Sequence, residues 1–273
     1  MIPPFDPEAI RAFEHARWEQ AAPVFDASVA TATGQFVEAL LDAGGVREGM
    51  RVLDVACGSG VAAAEAAERG AIPSGVDFSP AMLAVARATH PGLEFHPGDA
   101  EALPCTDATF DAVVANFGIH HVPRPEVALA ESFHALAQGG RIAVSFWATP
   151  EHNIAWKLLL DAVKRHGDAA TTGAPPPGGG FGSVQQILEA LRGAGFESLR
   201  AQFERRVWRH ANGASLVAAL RAGTARMAAQ IEAQSPAALR AVIADIDTNA
   251  AAWRDGEGLA LPIVAVIASG SKP

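Results

Sequence analysis

The chain has 273 residues, 49% of them hydrophobic and 19% charged, which allows a sizeable buried core and excludes wholesale disorder. Acidic residues number 30 against 21 basic ones, a net charge of −9, and this argues against nucleic acid as a partner because a phosphate backbone needs a basic footprint. Two cysteines, Cys57 and Cys105, make no disulfide framework and point to a reducing cytoplasm; the first residues lack the basic-then-apolar run of a secretory leader, and the apolar stretch 259–268 is too short for a bilayer.

Over about 7–43, Phe13, Ala16, Ala21 and Phe25, then Phe36, Leu40 and Leu41, recur at helical spacing until Gly44-Gly45 closes the region. From Met50 the pattern alternates: strand 51–56, helix 61–69, strand 73–77, helix 80–89, strands 93–96 and 110–116, helix 125–137, strand 140–147. Alternation of this kind implies a parallel sheet covered on both faces, with ligands at the carboxyl ends of its strands. Helical spacing over 153–166 is followed by a Pro/Gly tract at 173–180, read as a loop or hinge. A helix over 184–193, capped by Ser183, precedes a strand over 196–208; the segment 215–253 is helical with a break at Ser235-Pro236, and a last strand covers 259–268.

The first strand ends in Asp54 and runs through Cys57-Gly58-Ser59-Gly60 into an Ala-rich helix. Glycines there let backbone N–H groups approach a small ligand closely. Gly58, Gly60 and Ala63 also fit a dinucleotide fingerprint, so the turn by itself is ambiguous. A carboxylate at Asp54 would repel a pyrophosphate and suit a ligand carrying an ammonium and a sulfonium, such as S-adenosylmethionine. Asp77, at the end of the second strand, is placed to accept two ribose hydroxyls, which nicotinamide enzymes also require. In Gly98-Asp99-Ala100, Asp99 can accept from an adenine amine and Ala100 can donate its N–H to a ring nitrogen. Asn116 ends the fourth strand and leads into Phe117-Gly118-Ile119-His120-His121-Val122.

With these motifs in this order, the chain resembles the class I S-adenosylmethionine-dependent methyltransferases, and its 117–122 segment resembles the quinone-biosynthesis branch and its small-molecule relatives. The resemblance implies an α/β fold, a Rossmann-like, doubly wound, mostly parallel seven-stranded sheet with an antiparallel last strand and a helical lid. It implies S-adenosylmethionine as cofactor, held by Asp54, Ala56, Gly58, Gly60, Asp77, Phe78, Met82, Asp99, Ala100 and Asn116. The expected layout is an N-terminal helical cap at 1–45, the cofactor core at 46–150, a lid segment with the Pro/Gly loop at 151–182, core continuation at 183–211, a helical lid insertion at 212–256, and the last strand and tail at 257–273. The acceptor is expected to be a small molecule enclosed by lid residues, with Trp147, Trp156, Phe181, Trp208, Met227 and Trp253 as candidates. No membrane partner is expected, and neither is a metal, since Asn116 has no acidic companions. A non-catalytic S-adenosylmethionine sensor is the alternative, with a NAD-linked oxidoreductase behind it.

Methyl transfer from a sulfonium needs a positioned acceptor, and needs a base only where the acceptor must lose a proton. His121 is the catalytic candidate, as base or acceptor-orienting group. The plainer reading is that it packs, because no acid lies beside it in sequence to orient it. His120 would point the opposite way on an extended segment, which argues against a joint metal site. His152 could reach the pocket from the lid side, His15 and Trp18 stand on the N-terminal helix, and Cys57 reads as a small packing residue.

Overall fold

The computed structural model describes residues 6–167 and 183–273. Helix α1 (Pro7–Ala21) begins where Asp6 accepts the N–H groups of Glu8 and Ala9 and Pro7 supplies a preset first turn. Short helices α2 (Ala30–Thr33) and α3 (Val37–Ala43) lead into β1 (Arg51–Val55), α4 (Val61–Glu68), β2 (Ile72–Asp77), α5 (Pro80–Thr89), β3 (Glu94–Pro97), β4 (Phe110–Asn116), α6 (Pro125–Ala135) and β5 (Leu136–Trp147). Then come α7 (Ile154–His166), α8 (Val184–Gly193), β6 (Glu197–His210), α9 (Gly213–Gly223), α10 (Ala225–Glu232), α11 (Pro236–Asn249), β7 (Arg254–Asp255) and β8 (Gly258–Ser271).

The strands form one sheet in the order β3-β2-β1-β4-β5-β8-β6. Pairs from β3 to β5 are parallel, and β8 runs antiparallel to both β5 and β6. The expected seven strands are present with the last one reversed. An eighth, β7, is a two-residue addition that pairs with the start of β8. Strand order reverses between β1 and β4, and in open α/β sheets the crevice at such a switch point is where ligands sit.

Burial follows the two-residue period of strands. On β1, Leu53 and Val55 join the core beneath α6 and α8, while Val52 faces the core of α3 and α4. A third core, built from Leu158 and Leu159 of α7, Leu216 and Leu220 of α9 and Ile246 of α11, covers Leu261 and Ile263 of β8. It fastens the lid helices to the antiparallel end of the sheet.

The helical stretch expected over 215–253 breaks twice. Besides Ser235, which caps α11, Thr224 is extended, with φ −133° and ψ 146°. Gly223 explains the first break, since a Cβ there would lie 2.5 Å from Ser28 Oγ and 2.7 Å from Val29 N, so α9 ends in close contact with backbone. Helix α6 stops at Ala135, two residues short of the expected end, because Leu136 already pairs with Phe110 across a bulge.

Asn153 joins the start of α7 to β8. It is 1% exposed; its amide donates to the carbonyls of Ala148 (2.7 Å) and Val264 (3.1 Å) and its Oδ1 accepts the Val264 N–H at 2.8 Å. Asn153→Leu would strand these buried backbone groups, and a loss of about 2–4 kcal/mol is expected, read from urea unfolding midpoints at unchanged slope.

Candidate active site

The turn after β1 is wound through the left-handed region, with Ala56 at φ 55°, Gly58 at 54° and Gly60 at 86°. Two carboxylates hold it. Asp77 Oδ2 accepts the Gly58 N–H at 2.8 Å while its Oδ1 accepts the Ser79 N–H at 2.9 Å, so one side chain ties the end of β2 to the turn after β1. Asp54 Oδ2 accepts the Ala63 N–H at 3.0 Å in the first turn of α4. Burial pushes the Asp77 carboxyl up to about 6 against the opposing pull of those backbone N–H groups. Burial likewise raises Asp54 to about 7, opposed by the Ala63 N–H and assisted by the charge of Asp77.

A cavity of about 260 Å³ opens at these strand ends. Of the residues expected to hold a ligand, Ala56, Gly58, Asp77, Phe78, Met82, Asp99, Ala100 and Asn116 line it, and so does His121. Two expectations are corrected. Asp54, 1% exposed, is not among the lining residues; its carboxylate accepts the Ala63 N–H at the start of α4. Gly60 does not line the cavity either: a Cβ there would meet the Phe95 ring at 2.6 Å, so glycine is required by φ and by packing beneath the turn. At Gly58, by contrast, nothing lies closer to the added Cβ than Phe25 at 3.8 Å.

Asp99 is already engaged. Its Oδ2 accepts from Arg11 Nε at 2.7 Å and its Oδ1 from the Glu101 N–H at 2.8 Å, with Arg11 reaching on to Glu101 at 2.8 Å. Helix α1 therefore closes over this corner of the cavity. Asn116 accepts from Ser145 Oγ at 2.8 Å and donates to the Thr33 carbonyl at 3.2 Å, fixing the point where Phe117 turns to φ 56°.

That turn continues as a single 3₁₀ turn, Ile119–His121, and not as the extended segment expected. The two imidazoles consequently lie together, ring centres 4.2 Å apart, and both line the cavity. Sequence reasoning missed the acid beside them. Glu14, buried on α1, places Oε2 at 3.2 Å from His121 Nδ1, and Trp18 Nε1 donates to the same oxygen at 3.1 Å. The available signal was that Glu14 shares the buried stripe of α1 with Ile10 and Ala21. His15 instead packs edge-on against Phe78.

On the lid side Trp147, Trp156 and Met227 line the cavity. Trp208 lies behind them, donating to Thr31 Oγ1 at 2.8 Å, and Trp253 packs on the lid core. Phe181 and the 173–180 tract lie outside the described residues. His152 bonds Thr149 at 3.2 Å and is not a lining residue. Cys57 packs with Ala63 and Phe95, and burial raises its thiol well above the usual range. Among the described residues no cluster of His, Cys, Asp and Glu is arranged to hold a metal.

Residues 53–144 match the methyltransferase domain family. The matched core resembles a class I S-adenosylmethionine-dependent methyltransferase domain. The demethylmenaquinone methyltransferase of Renibacterium salmoninarum is 40% identical over 111 residues, 41% of this chain and 47% of that protein. Among solved structures, the YcgJ protein of Bacillus subtilis superposes with a TM-score of 0.58 at 18% identity, covering 87% of this chain and 98% of that one. A phosphoethanolamine N-methyltransferase of Haemonchus contortus, solved with S-adenosylhomocysteine, has a TM-score of 0.54 at 19% identity and covers 88% of this chain and 53% of that one. These two likenesses concern the fold. The chain spans about half the length of the curated relatives it matches.

The cavity fits the cofactor of this family. An acceptor-only carboxylate, Asp77, stands at the end of β2, and the backbone at Gly58 is open to close approach. Both features would also serve a nicotinamide dinucleotide, so it is the family match that favours S-adenosylmethionine over NAD.

Gly60→Ala should lower stability by about 2 kcal/mol or more through backbone strain and the Phe95 clash, seen as a fall in the urea midpoint with no ligand present. Asp54 has the opposite signature. Its folded carboxyl, at about 7, holds a proton more tightly than an unfolded aspartate at about 3.9, so stability from this group is present below pH 4 and is lost as pH rises towards 7. Asp54→Asn is therefore expected to gain on the wild type as pH climbs from 4 to 8, and a constant difference across that range would refute the assignment.

Proposed function

We infer that the chain transfers a methyl group from S-adenosylmethionine to a small-molecule acceptor. The observation carrying this is that one cavity at the β1/β4 switch point gathers Asp77, the open turn at Gly58, and the Asp99-Ala100 corner on one side, and the lid residues His121, Trp147, Trp156 and Met227 on the other. When bound, the cofactor supplies a methyl group already activated on a sulfonium. Asp77 would accept the ribose hydroxyls, Ala100 and Asp99 would meet the adenine edge, and Phe78 and Met82 would pack against the ring. For Asp99 this entails sharing an oxygen with Arg11. Asn116, fixed by Ser145 and Thr33, would face the methionine end, beside the turn of Ala56.

The acceptor side is enclosed by α1 and by the α9–α10 break, where Thr224, Arg226 and Met227 enter the lining. Such a wall would exclude water and hold an acceptor atom in line with the methyl group, which is where most of the rate gain in methyl transfer arises. The apolar lining of Phe117, Trp147 and Trp156 suits a flat, weakly polar acceptor, the class to which the demethylmenaquinone of the named relative also belongs. The excess of acidic residues supports a partner other than nucleic acid, and the two free cysteines support a cytoplasmic setting. No described helix is long and apolar enough to cross a membrane.

Calorimetry with S-adenosylhomocysteine tests the reading. Binding is expected for the wild type and not for NAD, and Asp77→Ala should weaken it by about 1.5–3 kcal/mol. Because the Asp77 carboxyl lies near 6 and only its ionised form accepts two donors fully, affinity should be flat above pH 7 and fall as pH drops through 6. Asp77→Asn should flatten that dependence. Equal affinity for NAD, or an unaltered affinity in Asp77→Ala, would remove the proposal.

A further inference from the structure

The polar end of the cavity holds groups that cofactor binding leaves unused. Glu14, 1% exposed, divides its oxygens: Oε2 faces His121 Nδ1 at 3.2 Å and Trp18 Nε1 at 3.1 Å, while Oε1 accepts from Arg226 Nε at 3.0 Å. A carboxylate against Nδ1 favours the tautomer with its hydrogen there, which leaves Nε2 as a bare acceptor. No described residue bonds Nε2, and the ring lines the cavity. Arg226 Nη2 is buried without a partner among the described residues, although the side chain also lines the cavity. A buried guanidinium N–H is best satisfied by an anionic or strongly polarised oxygen.

The charged and titratable groups facing His121 among the described residues are Glu14 from α1, Arg226 from α10 and His120 from its own turn. Burial pushes His120 well down, with His121 and Arg226 adding to the effect, so it stays neutral. For Glu14, burial pushes the carboxyl up, but His121 and Arg226 outweigh it and hold it below its usual range, so it is an anion. An imidazolium at His121 would thus have a carboxylate beside it, and a developing oxyanion would have Arg226.

We propose that Glu14, His121 and Arg226 form a proton-accepting and oxyanion-holding unit, so that the acceptor is an acidic hydroxyl, a phenol or enol, methylated on oxygen. This rests on the methyl-transfer reading above. His121 is the base, Glu14 its positioning residue, and Arg226 the donor to the acceptor oxygen. The step balances: the hydroxyl proton passes to His121 Nε2, the oxygen lone pair forms the O–CH3 bond, and the electron pair of the breaking S–CH3 bond stays on sulfur, leaving a neutral thioether. Trp147, with ring centres 4.2 Å from Phe117 and 4.3 Å from Trp156, adds an aromatic wall for a planar acceptor.

The first measurement needs no turnover. Long-range proton–nitrogen correlation spectra of histidine-labelled protein with S-adenosylhomocysteine should show His121 protonated at Nδ1 and bare at Nε2, and Glu14→Gln should mix the two tautomers. A wild-type ring protonated at Nε2, or a tautomer indifferent to Glu14→Gln, would overturn the unit. The second measurement offers phenol, catechol and 1,4-dihydroxynaphthalene as acceptor probes. Oxygen-methylated product is expected from at least one, with kcat about a hundredfold lower in His121→Gln and about tenfold lower in Glu14→Gln at little change in KM. The acidic limb of the wild-type kcat profile should vanish in His121→Gln. Methylation on carbon, no product from any of the three, or an unchanged kcat in His121→Gln defeats the hydroxyl assignment. Should Glu14→Gln fail to fold, the wild-type tautomer and the His121→Gln profile decide. Absent S-adenosylhomocysteine binding in the wild type would sink the methyltransferase reading itself, which keeps the two failures apart.

Discussion

The carboxylate of Asp77 is the joint on which the carboxyl end of the sheet depends. Among the described residues no cation forms an ion pair with it. Its two oxygens take backbone N–H groups from Gly58 and Ser79, binding the glycine turn to the end of β2, and burial leaves the charge undersolvated enough to raise the carboxyl to about 6. A group in that state carries unfavourable free energy in the free protein that new hydrogen-bond donors relieve. The same contacts that shape the cradle therefore leave a buried carboxylate facing the cavity.

Glu14 is the instructive contrast. It too is a buried acid, but His121 and Arg226 are within reach, and its carboxyl moves below the usual range where that of Asp77 moves above it. Burial acts in the same direction on both. The hydrogen bonds of the His121 ring and the Arg226 guanidinium reverse the outcome for Glu14, whereas Asp77 is met by backbone N–H groups. Structurally, the Glu14 cluster links α1, α10 and the turn after β4, so these elements are held together through residues that line the cavity.

What was legible in sequence was local. The strand and helix alternation, the glycine turn after the first strand, the Ser235-Pro236 helix start and the reversed last strand each follow from a few neighbouring residues or from the family resemblance. What escaped depended on distant partners. Asp54 looks identical in sequence whether it faces a ligand or the Ala63 N–H, and only the fold of α4 decides. Gly60 carries a ligand-binding spacing, yet the ring that forbids a side chain there is Phe95, from β3. The histidine pair was misplaced because a 3₁₀ turn brings adjacent side chains to one side where a strand would separate them. Glu14 lies 107 residues from His121, beyond any local pattern. The break at Thr224 arises from the close approach of Gly223 to Val29, which no periodicity reveals.

These failures sort by position. The matched family segment covers 53–144, and within it lie Asp77, Asp99, Asn116 and His121. Glu14, Trp18, Arg226, Met227 and Trp156 lie outside it, on elements that the fold packs over the cavity. The His121 ring is thus shared property: its backbone belongs to the turn after β4, inside the matched segment, while its hydrogen-bond partner comes from α1. Positions 14 and 226 set the polarity at this end of the cavity from helices outside the sheet. Similarity confined to the core therefore speaks to the Asp77 side of the cavity and leaves the residues that α1 and α10 bring to its other end unaddressed.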